Sequence, residues 1–201
     1  MIAKIPEQES AQIRSQILDA AEQRLRTYGY GKTTMVEIAT DVGMSAANLY
    51  RYFENKLDIG AALAQRCFSV RFDVLQEVVE QQDISATAKL EAFVITTLRY
   101  THTQFGEAPK VNELVDIIVA ERCEVIQAKI ENDLKLINVI LESGVQSGEF
   151  VIDNIQTTAQ AIQHATVKFS VPLFMSMYPL EEFEQDDRNL VKLLVQGLNT
   201  K

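Results

Sequence analysis

The sequence predicts an all-α protein of about nine helices, with a small three-helix head followed by a larger helical body. Apolar residues recur at three- and four-residue intervals through nearly the whole chain, which is the period of an amphipathic helix. No segment alternates like a strand. Capping residues and glycines punctuate the periodic runs where helices must start and stop.

The first residues, MIAKIPEQES, are polar with an early proline and read as a loose arm to about Glu9. From Ser10, the residues Ile13, Ile17, Ala21, Leu25 and Tyr28 define the first helix, and Gly29 supplies its stop. Thr34 and Glu37 have capping-box spacing, so the second helix starts there, with Ile38 and Ala39 as its apolar face. Gly43 falls where a chain leaving a helix needs a left-handed residue. Ser45 then caps the third helix, and Met44 and Leu49 have hydrophobic-staple spacing. Leu49 and Phe53 form its buried stripe, which leaves Ala46, Ala47, Asn48 and Arg51 facing outward. Beside them, Tyr50, Arg51, Tyr52 and Lys56 offer two phenols, a guanidinium and an ammonium, groups that bond phosphate oxygens.

Asn55, three residues before Asp58, starts a fourth helix of about seven turns, whose stripe runs from Leu57 and Ile59 to Val78. After the break from Gln81 to Ser85, Leu90, Phe93, Val94, Leu98 and Phe105 mark the fifth, closed by Gly106 and Pro109. Lys110 to Ser143 contains neither glycine nor proline, and its length favours a short helix followed by a long one. Gly144 and Gly148 are expected to loosen the end of that pair. Asp153 or Asn154 can cap the next helix, where Ile155, Ala159, Ile162 and Phe169 repeat and Pro172 predicts a kink. The last helix is expected after Asp186 and Asp187, burying Leu190, Leu193, Leu194 and Leu198.

The net charge of −9 argues against a protein that coats nucleic acid without selectivity. Its distribution is uneven. Residues 1–56 hold seven basic and seven acidic side chains, whereas 57–201 hold twelve and twenty-one, so the acidity lies outside the head. No apolar run reaches membrane-spanning length, and the start has too little hydrophobic length for a secretory signal, so a cytoplasmic protein is expected. Cys67 and Cys123 stand among apolar residues without metal-ligand spacing and read as buried thiols. Neither a metal site nor a catalytic group emerges: Glu-x-x-His pairs, glycine-rich phosphate loops and Gly-x-Ser-x-Gly elbows are all missing.

The stretch Gly29-Tyr30, Thr33-Thr34, Ile38-Ala39, Gly43-Met44-Ser45, Leu49-Tyr50-Arg51-Tyr52-Phe53 and Lys56 resembles the tetracycline-repressor (TetR) family of helix-turn-helix regulators. Val42 stands where alanine is common in that pattern, and Ala47 where glycine is frequent. The resemblance implies a DNA-binding domain at 1–56 and a ligand-binding and dimerisation domain at 57–201. It implies a homodimer paired through the last two helices, about Ile155 to Tyr178 and Asp187 to Leu198. It also implies a double-stranded, palindromic operator and a small-molecule inducer, with no cofactor. The residues expected at DNA are Thr34, Ser45, Ala46, Ala47, Asn48, Tyr50, Arg51, Tyr52 and Lys56, with Lys4 as a candidate in the arm. Phe93, His102, Phe105 and Phe169 are candidates for the ligand pocket. Two alternatives stay open: a helical interaction adaptor, or a bundle enzyme, each with a non-functional DNA-binding head.

Overall fold

The computed structural model describes residues 7–198, so Lys4 lies outside the described residues. Among them are ten α-helices and two short 3-10 helices. The α-helices are α1 (Glu7–Tyr28), α2 (Met35–Asp41), α3 (Ala46–Leu49), α4 (Lys56–Glu80), α5 (Ala86–Phe105), α6 (Asn112–Glu121), α7 (Cys123–Gln146), α8 (Ile155–Thr166), α9 (Pro172–Met175) and α10 (Leu180–Leu198).

The local signals account for most of the boundaries. Asn55 Oδ1 accepts from the Asp58 amide at 2.9 Å ahead of α4, Ser85 Oγ accepts from Ala88 at 3.1 Å, and Asn154 Oδ1 accepts from Thr157 at 2.9 Å. Pro172 does not kink a helix: the chain passes through a 3-10 turn at Val167–Phe169, and the proline then opens α9 at its first position, where its missing N–H costs nothing. The last helix begins at Leu180 rather than after Asp187, which places both aspartates inside it. Leu193, expected in the core, is exposed. Cys123, expected to be buried, is exposed at the start of α7, and Cys67 is half-buried.

The described chain packs as two compact units, and the division falls within α4 and α7. One unit combines residues 7–67 with 110–125. Its core holds Ile17, Ala21, Ile38, Ala39, Leu49, Phe53 and Ile59. The α6 segment joins it through polar and apolar contacts: the Glu113 carboxylate accepts from the Gly31 amide at 3.0 Å, and Lys110 Nζ donates to the Thr27 carbonyl at 2.5 Å. Asp58 pairs with Arg122. Leu114 packs directly over Gly60, where a Cβ would stand 2.6 Å from its Cδ1 and would force that side chain to shift.

The other unit combines residues 68–109 with 126–198 around Leu75, Leu90, Leu98, Ile137, Ile140, Leu141 and Phe183. Phe183 meets Phe169 and Tyr178 edge to face, at 6.2 and 5.3 Å between centroids. Gly144 does more than loosen the end of α7, for the Phe150 ring packs directly against it.

Asp187 is almost wholly buried, at 1 % exposure. Burial pushes its carboxyl up from the ordinary 3.8 to about 7; Glu184 and Glu91 push the same way, while Arg188 and Arg99 oppose them. A carboxyl with a raised pKa in the fold weakens the fold as it ionises. The penalty is absent below the unfolded value, grows as pH rises, and is complete above about 7. Asp187→Asn should therefore gain up to about 4 kcal/mol over the parent protein at pH 8 and little at pH 4, as measured by urea unfolding at both.

Candidate functional site

The exposed turn of the first unit is built by two caps. Thr34 Oγ1 accepts from the Glu37 amide at 3.3 Å, and the Glu37 carboxylate accepts from the Thr34 amide at 2.9 Å, a complete capping box. The Thr34 hydroxyl also donates to that carboxylate, and this bond is the main cause holding the Glu37 carboxyl below its usual range. Arg24 of α1 fixes the far end of α2 with a fork onto Asp41 at 2.6 and 2.8 Å. Gly43 turns the chain at φ +74°, and Ser45 Oγ accepts from the Asn48 amide at 3.2 Å to start α3.

α3 is a single turn. Beyond it the Arg51 and Tyr52 amides donate to the carbonyls three residues back, Asn48 at 3.1 Å and Leu49 at 2.9 Å, so the helix tightens and ends. Leu49 and Phe53 point into the core. Ser45, Ala47, Tyr50 and Arg51 are exposed together with Thr34, while Ala46, Asn48 and Tyr52 are half-buried. The Arg14 guanidinium donates to the Tyr52 carbonyl and lies 4.1 Å from the centre of the Phe53 ring, which fixes the exit from the turn.

Lys56 has inward partners. Its ammonium donates to the Tyr30 carbonyl at 2.6 Å and the Thr33 carbonyl at 2.7 Å, and stands 4.0 Å from the centre of the Tyr30 ring. Burial lowers its pKa, against the raising effect of Glu113 and Glu37. The side chain binds the start of α4 to the turn that precedes α2, and two of its three ammonium hydrogens are used in doing so.

The second unit encloses a cavity of about 130 Å³ walled by α5, α7, α8 and the 3-10 turn that follows. Phe93 and Thr97 come from α5, Lys129, Asp133 and Ile137 from α7, and Gln163 from α8. Gln163 is held by donating to the Ile130 carbonyl at 3.0 Å. Of the four expected pocket residues, Phe93 lines this cavity. Phe169 is packed in the core against Phe183, Phe105 lies half-buried against the core, and half-buried His102 accepts the Gly106 amide through its carbonyl. Lys129 and Asp133 had a signal in the sequence. They are four residues apart and fall on the apolar stripe marked by Ile126, Ile130 and Ile137, where a charge requires a partner. Among the described residues no group of three His, Cys, Asp or Glu side chains could hold a metal ion.

Comparison with known proteins matches residues 17–63 to the family model described as "Bacterial regulatory proteins, tetR family". Residues 86–191 match "Tetracyclin repressor-like, C-terminal domain". The fatty acid metabolism regulator protein of Bacillus subtilis (strain 168) is 23 % identical over 196 residues, covering 92 % of this chain and 95 % of that protein. The HTH-type transcriptional repressor BepR of Brucella suis biovar 1 (strain 1330) is 27 % identical over 118 residues, 59 % of this chain and 54 % of that protein. The crystal structure of the transcriptional regulator FadR from Bacillus subtilis in complex with stearoyl-CoA superposes with a TM-score of 0.68 at 21 % identity, covering 92 % and 99 % of the two chains.

Proposed function

This chain belongs to the tetR family of bacterial regulatory proteins, and from that membership we propose that it is a sequence-specific DNA-binding transcriptional regulator, a ligand-responsive repressor acting as a homodimer. The observation that carries the reading is the capped α2–α3 pair, which exposes Ala47, Tyr50 and Arg51 while Leu49 and Phe53 anchor it from beneath. In this reading residues 1–56 bind DNA and 57–201 bind the ligand and the second copy. Arg51 and Tyr50 meet the duplex with Ala46, Ala47 and Asn48. Thr34 and Ser45 set the two helices and reach phosphate at the helix starts, while Lys56 and Tyr52 chiefly hold the turn in register. The operator is palindromic because a two-fold dimer presents the same head twice.

Pairing through the C-terminal segment is supported by apolar side chains left exposed there: Val167 in the 3-10 turn after α8, Leu173 in α9, Met177 in the loop that follows and Leu193 in α10. The cavity of the second unit supplies room for an effector, and stearoyl-CoA in the Bacillus subtilis FadR structure supports a ligand with an apolar chain. A regulatory family supports a role without catalysis. Among the described residues no helix is long and apolar enough to cross a membrane, and we place the protein in the cytoplasm.

Retention of the promoter upstream of its own gene, measured at two salt concentrations, tests the reading. Arg51→Ala should weaken retention about tenfold and lower the slope of log affinity against log salt by about one. Absence of saturable, sequence-dependent retention at low salt would overturn it.

A further inference from the structure

The cavity wall carries an uneven set of charges. Asp133 stands between two cations: one carboxylate oxygen accepts from the Arg71 guanidinium, and the other lies 3.0 Å from Lys129 Nζ. The side chains of Arg71, Asp133 and Lys129 are 5 %, 7 % and 13 % exposed. Burial is the largest influence on Lys129 and pulls its pKa below the ordinary 10.5, with Arg71 acting the same way and Asp133 opposing, so a single carboxylate is shared between two buried basic groups and a second anion beside Lys129 would favour its charged form. Lys129 also donates to Ser170 Oγ at 3.3 Å, a neutral partner that contributes no balancing charge. Thr97, on α5, lines the same cavity at 6 % exposure, and its buried hydroxyl has no hydrogen-bond partner among the described residues. Arg71 Nε and Nη1 are likewise buried without partners. A buried hydroxyl without a partner is costly, which makes Thr97 an expensive group to leave facing the cavity when nothing fills it.

We propose that this cavity binds a small carboxylate with an apolar body, its charge meeting the Lys129 ammonium and one of its oxygens accepting from the Thr97 hydroxyl. The inference rests on the ligand-responsive reading above and names the ligand class. One excess positive charge matches one carboxylate, whereas a phosphate monoester would overcompensate it. The α5 and α7 sides of the wall also bring Phe93, Val94, Ile130 and Ile137, which suit hydrocarbon, while Gln163, His164 and Thr166 of α8 make the facing side more polar. A volume of about 130 Å³ approaches that of a protein cavity known to hold benzene, so the whole ligand is on the order of six carbons.

Calorimetric titration of the full-length protein with sodium hexanoate, hexan-1-ol and hexanoyl-CoA tests this. Hexanoate should bind, and hexanol, of the same length but uncharged, should bind at least about tenfold more weakly. Thr97→Val should weaken hexanoate about fivefold or more; Lys129→Gln should abolish the binding and Lys129→Arg restore part of it. Equal binding of hexanol, undiminished hexanoate affinity in Lys129→Gln or Thr97→Val, or binding of hexanoyl-CoA alone would overturn the proposal. Thr97→Val, which only exchanges a hydroxyl for a methyl, decides the matter if Lys129→Gln does not fold. Promoter retention without ligand is read separately: intact retention with no hexanoate binding sinks this inference alone, and hexanoate binding with no retention sinks the regulator reading alone.

Discussion

Asp133→Asn is expected to lose about 3–5 kcal/mol of stability, measured as the shift of the urea midpoint at constant slope. The asparagine fills nearly the same volume, so lost packing is a minor contribution. What it removes is the carboxylate that both Arg71 and Lys129 face, leaving two cations in a region where the three side chains are at most 13 % exposed. Breaking one partner of a buried pair is far more costly than replacing the whole set by apolar residues. The triple change Arg71→Met, Asp133→Leu, Lys129→Met should therefore recover most of the loss. If Asp133→Asn costs less than about 1 kcal/mol, the three charges are solvated in solution.

Gly144→Ala is expected to cost about 2–3 kcal/mol, which is opposite in sign to the usual gain when alanine replaces glycine inside a helix. A Cβ at this position would stand 2.1 Å from Phe150 Cδ2, 2.6 Å from Cε2 and 2.8 Å from Cγ. The ring has no easy retreat because Phe150 is 2 % exposed and belongs to the main cluster of the second unit. Combining Gly144→Ala with Phe150→Leu separates clash from backbone effects. The double variant should be more stable than the sum of the two single changes, as denaturant melts in a double-mutant cycle would measure.

The features legible in the sequence were those written within a few residues. Thr34 with Glu37 and Asn55 with Asp58 form bonds at the spacing read from the sequence, the cap at Ser45 forms to the Asn48 amide, and of the two candidates Asp153 and Asn154 it is Asn154 that caps, to the Thr157 amide. Gly29 and Gly43 were legible for the same reason, both having positive φ. The start of α10 was misread because acidic residues suit a helix N-terminus, while Asp187 is a buried exception held within the helix by its neighbours. Lys56 was ambiguous in principle. A lysine at a helix start can reach a phosphate or a carbonyl, and only the folded course of Tyr30 to Thr33 puts two carbonyls within its reach. The cavity was hidden for a related reason. Aromatic side chains pointed to Phe169 and Phe105, but Thr97, Lys129 and Gln163 come together from three helices, and no single stretch contains that arrangement.

The pair of hydrogen bonds donated by Lys56 also bears on motion. With its ammonium clamped to the Tyr30 and Thr33 carbonyls, the first turn of α4 has no slack against the turn that leads into α2. A rotation of those first residues of α4 is therefore coupled to the turn from Tyr30 to Thr33 for as long as both bonds hold. The fastening that stabilises the head thus also sets how much of any such rotation is lost before it reaches Thr34.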